Sequence, residues 1–223
     1  MIARHSHCHH PLSGATLAAS LDSGTIMFLP PHFKIDDADQ VIAFLQANNF
    51  GQLISVEEGR PVSTHMPFLI SEDRTQLLGH FARANSQWQS VENQPVLITF
   101  QGPHDYISPS WYQSVGVPTW NYQAIYLYGE CLVHHDNATK AGIVGKLTQF
   151  HEAGFEKPWQ PDYAESMLNG IVGVTVNITE IQCKYKLSQN RSDQDRQGAI
   201  ENLQALGSHQ VAGEMKKQLE SEK

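Results

Sequence analysis

Apolar and polar residues change rhythm along the chain, and each rhythm names an element. Behind Asp36 and Asp37, the residues Val41, Ile42, Phe44 and Leu45 recur at helical spacing. The two carboxylates suit the free N–H groups of a first helix that ends within 48–51. From Gln52 the rhythm becomes alternation, which predicts three antiparallel strands near 51–56, 61–70 and 75–82, with turns at 57–60 and 71–74. Residues 85–92 carry helix-start chemistry at Asn85, 95–100 read as a buried strand, and 120–133 as a long aromatic-rich strand. Helices are predicted at 136–152 and 162–169. Val172, Val174, Val176 and Ile178 then alternate with Gly173, Thr175, Asn177 and Thr179, a strand with one apolar and one more polar face. A last helix is expected from Asp193 to about Leu206.

About six strands joined by hairpin turns, with few helices between them, point to a mainly β, α+β architecture: an antiparallel Greek-key barrel with peripheral helices. Neither β-α-β alternation nor a G-x-G-x-x-G run is present, which disfavours a Rossmann nucleotide site. The expected organisation is one domain over 27–206, preceded by a tail over 1–26 that is disordered or non-native and followed by a charged tail over 207–223. The H-S-H-C-H-H run near the start lacks a second ligand cluster at a defined spacing, so no metal site is assigned to it.

Charge narrows the partners. The 223 residues carry a formal net charge of -8, which works against gripping a polyanion through a broad basic surface and leaves room only for local positive clusters. Cys8, Cys131 and Cys183 are far apart and odd in number, and read as reduced thiols in a cytoplasmic protein. No run approaches the length of a membrane span.

Four segments carry candidate chemistry. In G-H-F-A-R-A-N-S-Q-W, 79–88, a strand gives way to a short helix, and Arg83 together with the helix start at Asn85 suits a phosphate monoester, with His80 as a further donor. The same residues also suit a loop in which Arg83 pairs with a carboxylate and Asn85 only caps. In P-V-S-T-H-M-P-F, 61–68, Ser63, Thr64 and His65 stand beside Met66 among apolar neighbours; they could serve a ligand edge or simply face water. The stretches 101–112 and 117–122 place Trp111 and Trp120 around a Pro/Gly-rich loop, an aromatic wall for a flat ring or for a subunit interface. Lys186, Gln189 and Arg191 belong to a basic knot after the last strand, fit for a ligand anion, for another subunit, or for an ordinary loop.

Taken in order, M-F-L-P-P-H-F, T-H-M-P, G-H-F-A-R-A-N, G-P-H-D-Y-I-S-P-S-W-Y, V-P-T-W-N-Y and K-L-S-Q-N-R resemble the PaiB-like family of FMN-binding negative transcriptional regulators, from about Met27 to Ala205. Met66, Asp105 and Ser86 depart mildly from that pattern. The resemblance implies a split β-barrel homodimer with FMN at each of two equivalent interface sites. It also implies Ser63, Thr64, His65 and Met66 along the isoalloxazine, and His80, Arg83 and Asn85 on the phosphate side. Trp120, Asn121, Gln123 and the Lys186, Gln189 and Arg191 segment would close the site, partly from the partner subunit.

The implied function is a flavin-dependent or redox-responsive negative regulator. The alternatives are an FMN-dependent oxidoreductase or oxidase acting on a small molecule, with no residue singled out as catalytic, and a haem-binding split-barrel protein. No helix-turn-helix, basic stripe or zinc module is visible, so direct DNA binding is disfavoured.

Overall fold

The computed structural model describes residues 27–161 and 164–222; the His-rich run and the rest of 1–26 lie outside them. The strands are β1 (Phe50–Glu57), β2 (Arg60–Pro67), β3 (Leu69–Ile70), β4 (Gln76–Ala82), β5 (Gln94–Ile107), β6 (Thr119–His134) and β7 (Ile171–Lys186). They form one mainly antiparallel sheet in the order β2-β1-β5-β6-β7-β4-β3. The helices are α1 (Ala38–Ala47), α2 (Asn137–Glu152), α3 (Asp193–Ala205) and α4 (His209–Ser221). Among the described residues no helix is long and apolar enough to cross a membrane. The chain divides into two compact units, to both of which β5, β6 and β7 contribute residues.

The first unit holds Asn49–Leu97 and the described part of Tyr128–Thr179. Its β1–β2 hairpin turns at Glu58 and Gly59, both at positive φ (48° and 77°), the conformation that a two-residue turn between right-twisted strands demands. β4 pairs antiparallel with β7, with Gly79 opposite Val174 and His80 opposite Gly173. On one face of β4, Gly79 leaves room for the side chains of Met66 and Phe68. On the other, Leu78 joins Ile143 and Leu147 of α2 in an apolar cluster. This is why both faces of β7 are buried over Val172–Val176, where alternation predicts one polar face: α2 lies over the Gly173 and Thr175 side, and His134 Nε2 bonds Thr175 Oγ1 at 2.9 Å. Asp136 caps α2 by accepting from the Thr139 N–H at 2.8 Å.

The second unit holds the described residues of 27–48, Ile98–Leu127 and 180–222. Asp37 caps α1 by accepting from the Gln40 N–H at 2.8 Å, as the paired aspartates predict. The buried strand read over 95–100 runs on to Ile107, with a short 3-10 turn at Pro109–Trp111 behind it. Gly102 makes this possible, because a Cβ there would collide with the Phe44 ring. The strand β7 likewise runs on through Ile181, Cys183 and Tyr185, all buried, so Lys184 and Lys186 stand on a strand rather than in a loop after it. Where a charged tail is expected after 206, the chain forms α4. Its Val211, Ala212, Met215 and Leu219 are buried at helical spacing beneath an otherwise charged surface.

Candidate functional site

In the first unit the candidate residues are organised by one that pattern reading passes over, Gln87. It is 1% exposed, in a 3-10 turn (Ser86–Gln89) that Asn85 caps by accepting from the Gln87 N–H at 3.0 Å. Its Oε1 accepts from Thr64 Oγ1 at 2.6 Å, and its Nε2 donates to Ser55 Oγ at 2.9 Å and reaches the carbonyls of Val62 and Leu53 at 3.2 and 3.3 Å. Asn85 Nδ2 adds a bond to Thr64 Oγ1 at 2.8 Å. Thr64, Asn85 and Gln87 are therefore one network that pins β2 to the turn. Nothing in the rhythm of a four-residue turn marks a glutamine as buried; only the tertiary contact does.

The other members divide between faces. Met66 is buried toward Gly79, while Ser63 and His65 are exposed on the opposite face of β2. There His65 stacks on Phe50 at 6.1 Å and meets Gln52 Nε2 at 2.6 Å. His80 follows Gly79 and so points away from Met66, to the face shared with Gly173 and α2. Among the described residues its buried Nδ1 has no hydrogen-bond partner, and burial holds the imidazole below its ordinary value.

Arg83 is committed. Its Nε donates to the Asn169 carbonyl at 2.8 Å, its Nη2 to that of Ile171 at 3.1 Å, and its backbone N–H to that of Gly170 at 2.8 Å. Lys140, 1% exposed, takes the Leu168 carbonyl at 2.8 Å. Four successive carbonyls at the end of the 3-10 turn Glu165–Gly170 are thus held by two cationic residues, with Trp88 under the Arg83 guanidinium at 5.7 Å. The helix start expected to offer free N–H groups beside Arg83 is a single short turn already capped by Asn85, so the helix-dipole element of that expectation is lost.

The second unit gathers the remaining candidates. Asn121 and Gln123 are buried on β6: Asn121 Nδ2 donates to Ser188 Oγ at 2.9 Å, and Gln123 Nε2 to Glu214 Oε2 at 3.1 Å. Trp120 is 54% exposed, edge-on to Tyr106 at 6.2 Å and 6.5 Å from the His104 ring. Lys186 Nζ donates to Thr119 Oγ1 and to the Trp120 carbonyl, both at 2.6 Å. Gln189 folds back on its own turn, accepting from the Leu187 N–H and donating to the Tyr185 carbonyl. Arg191 lies 4.7 Å over the Tyr112 ring, with Nη1 on the Val115 carbonyl at 3.1 Å. Behind this loop, Asp195 accepts from the Gln113 and Ser114 N–H groups and from Ser114 Oγ, and the Ser114 hydroxyl chiefly holds its carboxyl below the usual range.

A family described as "Putative FMN-binding domain" matches residues 27–180, a span that contains all the first-unit candidates together with Trp120, Asn121 and Gln123. The chain is 40% identical over 186 residues to Protease synthase and sporulation protein PAI 2 of Bacillus subtilis, covering 80% of this chain and 89% of that one. An uncharacterized protein of Aspergillus fumigatus is 30% identical over 200 residues, 65% of this chain and 77% of its own. Among solved structures, the flavocytochrome Anf3 of Azotobacter vinelandii superposes with a TM-score of 0.59 at 19% identity, covering 73% of this chain and 74% of that one. The FAD and haem binding protein of Mycobacterium smegmatis gives 0.59 at 14%, covering 73% and 78%. At such identities these structures bear on the fold, which is the split-barrel type. The match over 27–180 and the 40% identity decide the rest: the chain belongs to this FMN-binding family, and FMN is its cofactor.

Proposed function

We propose that the chain is a flavin-responsive negative regulator of the cytoplasm, working as a homodimer with FMN at the subunit interface. The observation that carries the reading is the extent of the likeness to PAI 2, whose name ties that protein to protease synthesis and sporulation. The proposed cofactor contacts are Ser63, Thr64, His65, Met66, His80 and Asn85, with Trp120, Asn121, Gln123, Lys186, Gln189 and Arg191 closing the site partly from the partner subunit; Arg83, whose guanidinium is spent on the Asn169 and Ile171 carbonyls, is not among them. The donor set fits a flavin nucleotide: amides for a pyrimidine edge, exposed aromatic rings for a flat tricycle, and cations that face carbonyl and hydroxyl oxygens rather than carboxylates.

Redox sensing in this reading falls to the flavin. The thiols of Cys131 and Cys183 are buried, and burial pushes both upward, Cys131 to about 12, so neither offers a thiolate near neutral pH. With a net charge of -8, the regulator acts through a small molecule or a protein partner rather than by gripping DNA itself. Light scattering should give twice the chain mass in the presence of FMN. A gel shift at physiological salt with excess non-specific DNA should show no specific band. A monomer would sink the interface site, and a specific shift would overturn the indirect mode of action.

A further inference from the structure

Two groups of cations could take the flavin's phosphoryl end, Arg83 in the first unit and Lys184, Lys186 and Arg191 in the second. Their hydrogen bonds separate them. A guanidinium grips two oxygens of a phosphate best through a pair of parallel N–H groups, and the Nε–Nη2 edge is one such pair. In Arg83 that edge is spent on the Asn169 and Ile171 carbonyls. In Arg191 the bond made is through Nη1, to Val115, and the Nε–Nη2 edge has no partner among the described residues.

The surroundings of Arg191 favour an anion. Its guanidinium carbon lies 4.7 Å over the Tyr112 ring, and Gly116 lacks the Cβ that would press to 3.3 Å from Nη2. Lys184 and Lys186 project from the same face of β7. Lys186 gives two of its three N–H groups to Thr119 and the Trp120 carbonyl, and Lys184 donates to the Phe28 carbonyl. Among the described residues none of the three makes an ion pair with a carboxylate. Burial first, then the charges of Lys184 and Arg191, push the Lys186 ammonium below its ordinary value. In a chain with 23 acidic residues against 15 basic ones, a cluster of like charges without a counter-charge is a local conflict that a bound anion relieves.

We propose that Lys186 and Arg191 form a phosphomonoester site, with Lys184 reinforcing its potential, and that Arg83 is a latch holding the 168–171 carbonyls rather than a phosphate ligand. This rests on the FMN reading and refines it by naming the residues that tell FMN from riboflavin.

The test is fluorescence-quenching titration of wild type, Lys186→Gln, Arg191→Gln, Lys186→Arg and Arg83→Gln with FMN and with riboflavin, each variant first checked for folding by circular dichroism. Lys186→Gln and Arg191→Gln should each weaken FMN about tenfold or more while moving riboflavin less than about threefold. Lys186→Arg should restore much of the loss. Arg83→Gln should leave the FMN-to-riboflavin ratio unchanged. Inorganic phosphate should compete with FMN in wild type and lose that effect in Lys186→Gln; competition by phosphate without any preference for FMN over riboflavin would make this a free-phosphate site and overturn the assignment to the cofactor.

A footprint on the unaltered chain covers the case of a variant that fails to fold. FMN, but not riboflavin, should protect Lys186 from acetylation. Unchanged labelling, or a selective loss of FMN affinity in Arg83→Gln alone, overturns the proposal while leaving FMN binding intact. A wild-type chain that binds neither flavin defeats the cofactor reading and this site with it.

Discussion

Replacing Gln87 by Ala tests the network that fixes the first-unit candidates. The change removes the acceptor of Thr64 Oγ1 and the donor to Ser55 Oγ, and with them the longer contacts to the Leu53 and Val62 carbonyls. Thr64 is half-buried and keeps the bond from Asn85, so its loss is discounted; Ser55 is 4% exposed and is left without this donor. One buried group losing its partner costs about 1–3 kcal/mol, and the space vacated by the amide in a nearly closed site adds about 1 kcal/mol. The sum is about 2–4 kcal/mol, or about 4–16 °C in Tm for a chain of this length. Urea denaturation and calorimetry measure it, with Gln89→Ala, exposed in the same turn, as a control expected within about 0.5 kcal/mol. Combining Gln87→Ala with Ser55→Ala should cost less than the sum of the two, because the second change removes the stranded hydroxyl. A single-variant loss below about 1 kcal/mol, or strict additivity, would refute the network.

Three further outcomes follow from the same geometry. Burial holds the folded His80 imidazole below its ordinary 6.5, so the unfolded chain takes up the proton first as pH falls. Stability from this group is therefore complete above about pH 6.5 and lost as pH drops toward the lower folded value; the urea midpoint should fall as pH drops below about 6.5 in wild type and fall less in His80→Leu. The Tyr112 hydroxyl is buried without a partner among the described residues, so Tyr112→Phe should leave the thermal midpoint unchanged or raise it; a drop of more than about 1 kcal/mol would reveal a bond to that oxygen. A Cβ at Gly129 would run into the Asn177 carbonyl oxygen and approach Val176 Cγ1 to 2.6 Å, so Gly129→Ala should destabilise by about 1–3 kcal/mol. Gly142→Ala, in open space on α2, should instead stabilise by up to about 1 kcal/mol, and equal effects at the two glycines would contradict the packing.

What could be read from the sequence was what local chemistry determines. Asp37 caps its helix because the carboxylate lies within reach of an N–H three residues on. The 57–60 turn carries glycine where positive φ is needed. The alternation in β7 told strand from helix but not which of its faces is covered, because α2, which buries Gly173 and Thr175, arrives from elsewhere in the chain. α4 was hidden by its charged residues, although Val211, Met215 and Leu219 already stood on one stripe.

The site was legible as residue types in order, and less so as partners. Strand alternation could have separated His80 from Gly79, and hence from Met66. It could not have shown that Arg83 serves carbonyls 86 to 88 residues away, that Lys140 is buried, or that Gln87 is the residue Thr64 and Asn85 depend on. Those are tertiary facts, and each concerns a polar group whose partner lies far along the chain.

The most direct measurement is an absorbance spectrum of the purified chain after incubation with FMN and gel filtration, with phosphate analysis of the released chromophore. The account predicts a flavin band that travels with the protein at about one FMN per chain. A colourless protein peak, or riboflavin retained as well as FMN, would contradict it.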